Sequence, residues 1–378
     1  MVFRQEALFD TVKISIMVVG SNHRWIFAFA PLLLISCTGF GNFWEAPSRP
    51  TASATLTAFA LPAMSLTGSI RRSTITLYAE TTNSIPLQAA VFTTNGKKVL
   101  VNSVEQVSGV TLNDFTNPVT YTVLAEDGST QDYLVVVLAP RLVAGLSAWY
   151  KADAQAYANG FTITNWTDSS GNGNDLNSSL GGSQPVMHTG IVNGKPVGRF
   201  TQGANSGIQR TSVLTGFSGN SITTFIVFRR TSFSAMEQYF FNLGPGGCNG
   251  VTQSLQATFG PILAQIPCGP YYVSSSSNLV DTADFHLLTF RYDFAGNFSV
   301  QMLDGASQFS GIVGGGPVPI PAPMTKFILG NFDSGSRGLD ADLAELLYFS
   351  GALSDLEILR MSCYLSEKYA LAVGSACP

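Results

Sequence analysis

The chain has 378 residues, of which 12% are charged and 11% aromatic, with 37 glycines and a formal net charge of −4. That length allows two domains and a sizeable core. A composition rich in Gly, Ser, Thr and Asn and poor in charge reads as extracellular all-β structure rather than a helical cytosolic enzyme. An acidic balance without a basic patch argues against nucleic acid as a partner.

The chain opens on an export signal. Arg24 precedes the apolar run W-I-F-A-F-A-P-L-L-L-I-S, which Pro31 interrupts and which stops at Cys37. The twelve residues Trp25 to Ser36 are too few to span a bilayer comfortably. A basic flank, a short apolar segment and a small residue before a break are the layout of a secretory signal. Glu6 and Asp10 are unwelcome ahead of such a core, so Met17 is the expected true start. The tetrad Leu34-Ile35-Ser36-Cys37 resembles a bacterial lipobox, with Ile looser than the strictest form. That resemblance implies a signal peptide over 1–36, lipid on Cys37, and an outer-membrane lipoprotein displayed at the cell surface. An ordinary signal peptide with a cysteine nearby is the alternative.

Residues 37–56 carry small residues, two prolines and little periodicity, the composition of a tether. Residues 57–139 then read as a small β-sandwich. The runs S-T-I-T-L-Y, K-K-V-L-V and Y-L-V-V-V-L alternate with turns at T-N-G-K and E-D-G-S. Tyr121 to Val137 is a hairpin signal, with Asp127-Gly128 at its turn. This segment resembles the closing hairpin of bacterial cadherin-like or immunoglobulin-like surface modules, which act as spacers. Glu126 and Asp127 are explained by turn chemistry rather than as ligands.

Pro140 marks a boundary, and residues 140–378 form a larger unit. Its strands S-I-T-T-F-I-V-F-R, F-H-L-L-T-F-R-Y-D, F-S-V-Q-M-L-D-G, K-F-I-L-G and D-L-A-E-L-L-Y-F are separated by Gly/Ser/Asn turns. Short strands without intervening helices predict an antiparallel sandwich or jelly roll. Only the end is helical: Ser354 is placed to N-cap, Glu357 completes a capping box, and Leu353 and Ile358 form a hydrophobic staple. Leu356, Leu359, Cys363 and Tyr364 are the expected docking face.

Several segments of this unit resemble concanavalin A-like jelly rolls of the laminin G-like type. They are G-L-S-A-W-Y-K-A-D at Gly145, W-T-D-S-S-G-N-G-N-D at Trp166, N-G-K-P-V-G-R-F ending at Phe200, and A-E-L-L-Y-F-S-G-A-L-S-D-L-E-I-L-R near the end. The resemblance implies the fold but little about function, since the fold hosts glycan-binding, protein-binding and hydrolytic members. Of the five cysteines, four remain if Cys37 carries lipid, an even number in an oxidising compartment. Cys248–Cys268 and Cys363–Cys377 are the expected local pairs, although sequence alone does not choose among the pairings.

Candidate chemistry is sparse. Asp340, Asp342 and Glu345 lie at offsets resembling the E-x-D-x-x-E strand of jelly-roll glucanases. Residues two apart share a face, and a bulge can return the third to it. The same stretch also fits a non-catalytic jelly-roll ending. Asp168, Ser170 and Asn172, followed by Gly173, begin like an EF-hand calcium loop, yet the twelfth position is Ser179 rather than Glu and the flanks read as strand, which leaves Asp168, Asn172, Asn174 and Asp175 as candidate calcium ligands. An Asx/Gly turn is the stronger reading, and calcium is the only ion such a loop would take; no cofactor is called for. Tyr271 and Tyr272 offer aromatic surface of the kind sugars stack on, with core tyrosines as the alternative. His188 and His286 read as scattered structural histidines. The loop Gly314 to Pro323 lacks the Lys-Ser/Thr of a phosphate-binding loop.

The expected protein is therefore an all-β, lipid-anchored, non-enzymatic surface protein. It would be an adhesin whose partners are the membrane, through its lipid, and a glycan or extracellular-matrix-type protein. A glycoside hydrolase using Asp340, Asp342 and Glu345, or a structural envelope protein, are the alternatives.

Overall fold

The computed structural model describes residues 53–80, 85–233, 236–244, 250–255, 262–265, 272–274, 281–313, 316–317, 319–320, 322–333, 335 and 337–374. The signal segment with Met17, Cys37, Cys248, Cys268, Tyr271 and Cys377 lie outside the described residues. Two sandwiches and one α-helix make up the described chain, so it is all-β apart from its end.

In the small sandwich the expected hairpin forms from Val119–Leu124 and Thr130–Leu138, with Tyr121 opposite Tyr133. Its alternation sends Tyr121, Val123, Tyr133 and Val135 into a core shared with Phe59, Leu77 and Phe115. Asp127 holds the turn: Oδ1 accepts from Ser129 N at 2.9 Å and from Ser129 Oγ at 2.6 Å. Thr130–Leu138 also runs parallel to Thr74–Tyr78, pairing Leu138 with Tyr78. Those two residues, with Val136, leave the small core and pack against the larger sandwich.

The larger sandwich consists of an eight-stranded sheet, here the back sheet, and a seven-stranded front sheet. Ala341–Phe349 is buried along its whole length and forms the middle of the back sheet. It can be apolar on both faces because both are covered. Leu343, Leu346 and Tyr348 enter the core between the sheets, against Phe241 and Phe327. Ala344, Leu347 and Phe349 face the terminal helix α1 (Asp355–Tyr369). A register shift opposite Val227 and Phe228 puts an extra residue in the strand. Ala344 and Glu345 consequently both lie on the α1 side.

Two of the sequence segments explain each other. A Cβ on Gly198 would sit 2.5 Å from the Trp166 ring, so glycine is required in V-G-R-F. The ring thereby stacks on Phe200, with centroids 6.2 Å apart.

Helix α1 begins as expected, with a complete capping box between Ser354 and Glu357. Leu353 and Ile358 are buried together, as a staple requires. The docking face matches expectation in part: Cys363 and Tyr364 are buried, Leu359 is half-buried and Leu356 is exposed, while Ile358, Met361, Ser362, Leu365, Lys368 and Tyr369 are also buried. The staple fixes the entry angle of the helix and turns Leu356 outward. Cys363 is buried on this helix and is disulfide-bonded.

Candidate functional site

The carboxylates of the expected catalytic strand are occupied. Glu345 is fully buried; Oε1 accepts from Trp149 Nε1 at 2.6 Å and Tyr364 OH at 3.2 Å. Its Oε2 accepts from Tyr369 OH at 2.7 Å and Lys368 Nζ at 2.8 Å. Asp342, equally buried, takes Arg199 at 2.6 and 2.9 Å and Arg229 at 2.7 Å. Asp340 accepts from Gln202 N and from Ser232 Oγ, each at 2.6 Å. The bulge does return Glu345 to the face of Asp342, but α1 covers that face. Glycosidase carboxyls must flank a scissile bond, and these flank protein donors instead. The hydrolase alternative loses its geometry here.

The Trp166–Leu176 turn is closed by its own hydrogen bonds. Asp168 Oδ1 accepts from Trp149 N at 2.9 Å and Ser170 N at 2.8 Å. Oδ2 accepts from Ser170 Oγ at 2.7 Å and Asn174 N at 3.0 Å. Asn174 ties Ser147 O to the 215 backbone, and Asn172 Nδ2 reaches Leu146 O at 2.8 Å. Asp175 Oδ1 accepts from Asp168 N at 2.8 Å. Gly171 and Gly173 take φ of +96° and +71°, which the turn needs. The oxygens a calcium ion would want are thus spent on backbone amides. Among the described residues, no group of three or more His, Cys, Asp and Glu is placed to hold a metal.

Of the tyrosine pair, Tyr272 starts the strand Tyr272–Ser274 at the front sheet's edge. The histidines have separate surroundings. His286 Nδ1 lies 2.7 Å from Asp304 Oδ2, whereas His188 feels Arg199 and burial, which together lower it.

The outward face of the front sheet carries polar chemistry that the sequence did not reveal. Backbone register places Gln209 opposite Ile328, Ile328 opposite Asn242, and Asn242 opposite Thr252. The row continues through Gln265 to Tyr272. Since Ile208, Leu243, Val251, Phe327 and Leu329 point into the core, alternation turns Gln209, Ile328, Asn242 and Thr252 to the opposite face. That face is covered too: Ile328 is 0% exposed, and Asn242 and Thr252 are 1% exposed. Buried amides are nearly always paired, and Asn242 Nδ2 is an exception, with no hydrogen bond among the described residues.

Beside that row, Glu237 gathers three donors. Oε2 accepts from Arg337 Nη1 at 2.6 Å and Tyr239 OH at 2.8 Å, and Oε1 from Ser254 Oγ at 2.7 Å. The Tyr239 ring lies 4.8 Å from Phe332, and the Arg337 guanidinium 5.7 Å from Phe332. Burial, then Glu237, pushes the Tyr239 hydroxyl above its ordinary value, so it stays a neutral donor. Aromatic walls with a few fixed polar groups are what small-ligand sites are built from. Sequence reasoning missed this cluster because Glu237 and Arg337 are 100 residues apart. The Asn in F-F-N-L was the one local signal.

Comparison with known proteins bears on the small sandwich. Residues 56–137 match the family model "SGBP, N-terminal", the amino-terminal domain of surface glycan-binding proteins. No curated protein sequence matches the chain. Among solved structures, domain 4 of AbnA, an extracellular arabinanase from Geobacillus stearothermophilus, in complex with arabinotriose, is 18% identical. That likeness covers 57% of this chain and 97% of that one, with a TM-score of 0.40. The CBM40 of a Ruminococcus gnavus sialidase, bound to sialyllactose, is 11% identical over 49% of this chain and 99% of its own, at 0.34. NanB sialidase of Streptococcus pneumoniae is 20% identical over 40% of this chain, at 0.33. The chain spans 26% and 27% of the length of two NanB chains it matches. At these scores the structural likenesses bear on no residue of the site.

Proposed function

We propose that this is a surface glycan-binding protein of the cell envelope, an adhesin without catalytic activity. In this reading lipid on Cys37 anchors it to the outer membrane. The small sandwich, residues 57–139, stands the head, residues 140–378, away from the bilayer, and the outward face of the front sheet meets the glycan. The observation that carries the reading is the match of residues 56–137 to the amino-terminal domain of surface glycan-binding proteins. Glu237, Arg337 and Phe332 support it, because they set a fixed, partly exposed ion pair beside a half-buried aromatic ring.

Glycan-array binding by the full mature chain, combined with an assay for released reducing sugar, tests this. Binding without release is the expected outcome, and release of sugar by the pure protein contradicts it. A second reading, capture of a protein ligand, is favoured by one observation. Leu87, Val104, Val107, Val110 and Leu112 of the small sandwich are all exposed aliphatics, and clustered exposed apolar surface marks interaction sites.

A further inference from the structure

The small sandwich has a cavity of its own, of about 550 Å³, at the end where the described chain begins. Three segments line it: Ser53–Thr55, the turn at Arg72 and Ser73, and Ser129–Gln131 with Tyr133. Its size falls within the range of small-ligand clefts, about 300–1,000 Å³. We propose that this cavity binds a phosphate group, with Arg72 as the counter-charge and Tyr133 as its buried donor.

Charge selects an anion. Among the described residues that line the cavity, Arg72 alone is charged, and no carboxylate is among them. Arg72 is exposed and forms no ion pair with a described residue. The two acids closest along the chain are engaged elsewhere. Asp127 Oδ1 accepts from Ser129 N and Ser129 Oγ at the tip of the hairpin. Asp132 Oδ1 accepts from Thr122 Oγ1 at 2.6 Å, on the strand face opposite to Tyr133. An anion entering here meets a guanidinium with no carboxylate competing for it.

Open hydroxyls select phosphate among anions. Tyr133 is 4% exposed, and its ring belongs to the small core. Its hydroxyl makes no hydrogen bond with a described residue, yet it is not one of the sealed polar atoms, so it opens on the cavity that the residue lines. Buried tyrosine hydroxyls usually find a partner. Ser73 and Thr130, both exposed, also have hydroxyls without a described partner. Ser53 Oγ accepts from Asn95 Nδ2 at 2.6 Å and keeps its own proton to donate. A phosphate group carries three strong acceptor oxygens, which suits one guanidinium ringed by hydroxyls. A membrane-lipid headgroup and a soluble phosphate ester both present that group.

The test titrates the full chain with inorganic phosphate and with glycerol phosphate, using methyl glucoside as a neutral control. NMR of ring-labelled tyrosine follows Tyr133, whose signal is identified by its loss in Tyr133→Phe. Both phosphates are expected to shift that signal saturably, and Arg72→Gln to weaken the titration about tenfold or more. Tyr133→Phe should keep the parent's melting temperature, because the lost hydroxyl has no protein partner. Read at the Arg72 guanidinium, it should bind phosphate several-fold more weakly. Co-sedimentation with phosphatidylglycerol vesicles that Arg72→Gln abolishes assigns the lipid source, and ester binding without co-sedimentation assigns the soluble one. A Tyr133 signal that neither phosphate moves, or that methyl glucoside moves as far, overturns the proposal. An Arg72→Gln protein that titrates like the parent overturns it too.

Discussion

Lys368 Nζ lies 2.8 Å from Glu345 Oε2, with the two side chains 3% and 0% exposed, and also reaches Asp153 at 3.1 Å and Glu80 at 3.3 Å. Glu80 belongs to the small sandwich and is held by Lys151 at 2.7 Å as well. A buried charge therefore joins the two sandwiches. Burial alone would lower the Lys368 ammonium, but Glu345, Asp153 and Glu80 outweigh it and raise it above the usual lysine range. Tyr78 donates to Glu367 and packs 5.6 Å from Tyr364 at the same junction. The arrangement fixes the larger sandwich against the smaller one.

Lys368→Met should leave Glu345 buried without its counter-charge and cost about 3–5 kcal/mol in urea unfolding. The double variant Lys368→Met with Glu345→Gln should recover part of that loss, because it removes both charges while the amide oxygen can still accept from the buried Trp149 and tyrosine donors. Equal instability of the two variants would contradict the pairing.

Glu80 gives the junction an acid limit. Burial by itself would raise its carboxyl, yet Lys368 and Lys151 prevail and hold it below the ordinary value. A carboxyl depressed by folding contributes stability above its unfolded value, lost as pH falls through the folded one. Melting curves of Glu80→Gln and the parent should therefore differ most near neutral pH and converge as pH falls below the ordinary glutamate value of about 4.3.

His286 works in the other direction. Burial would lower it, but Asp304 and then Asp281 raise it overall. Its contribution is complete below the unfolded value, about pH 6.5, and is lost as pH rises through the raised folded value. The melting-temperature gap between the parent and His286→Gln should shrink as pH rises above about 6.5. A constant gap would contradict the ion pair.

Asp168→Ala strips acceptors from Trp149 N, Ser170 N and Asn174 N, and should cost about 1–3 kcal/mol. Because the turn closes on itself, the parent's melting temperature should be the same with millimolar calcium and with EDTA. A calcium-dependent rise would restore the metal reading.

The back sheet was legible because its strands are apolar runs: I-T-T-F-I-V-F-R and D-L-A-E-L-L-Y-F are covered on both faces, by the core and by α1. The capping box and the Tyr121–Val137 hairpin were legible for local reasons, since a cap or tight turn is set within a few residues. The front sheet was legible only at K-F-I-L-G, the strand Lys326–Leu329. Gln238–Gly244 and Val251–Leu255 mix buried polar residues with apolar ones, and Thr252, Gln253 and Ser254 hide the strand period. The candidate site went with it, because alternation and register, not spacing, bring Tyr239, Asn242 and Arg337 to one face. Asp342 and Glu345 misled in the opposite way: the offsets correctly gave a shared face, but sequence does not say that a helix closes it.

The central claim, that the front sheet binds glycan, is tested most directly at Arg337. Its side chain is 46% exposed and paired with Glu237 at 2.6 Å, so Arg337→Ala removes a surface donor and should cost about 1 kcal/mol or less in stability. Calorimetric titration with a glycan selected on the array should then show affinity weakened about tenfold or more. Unaltered affinity in a normally folded Arg337→Ala protein would place the ligand elsewhere and contradict the account.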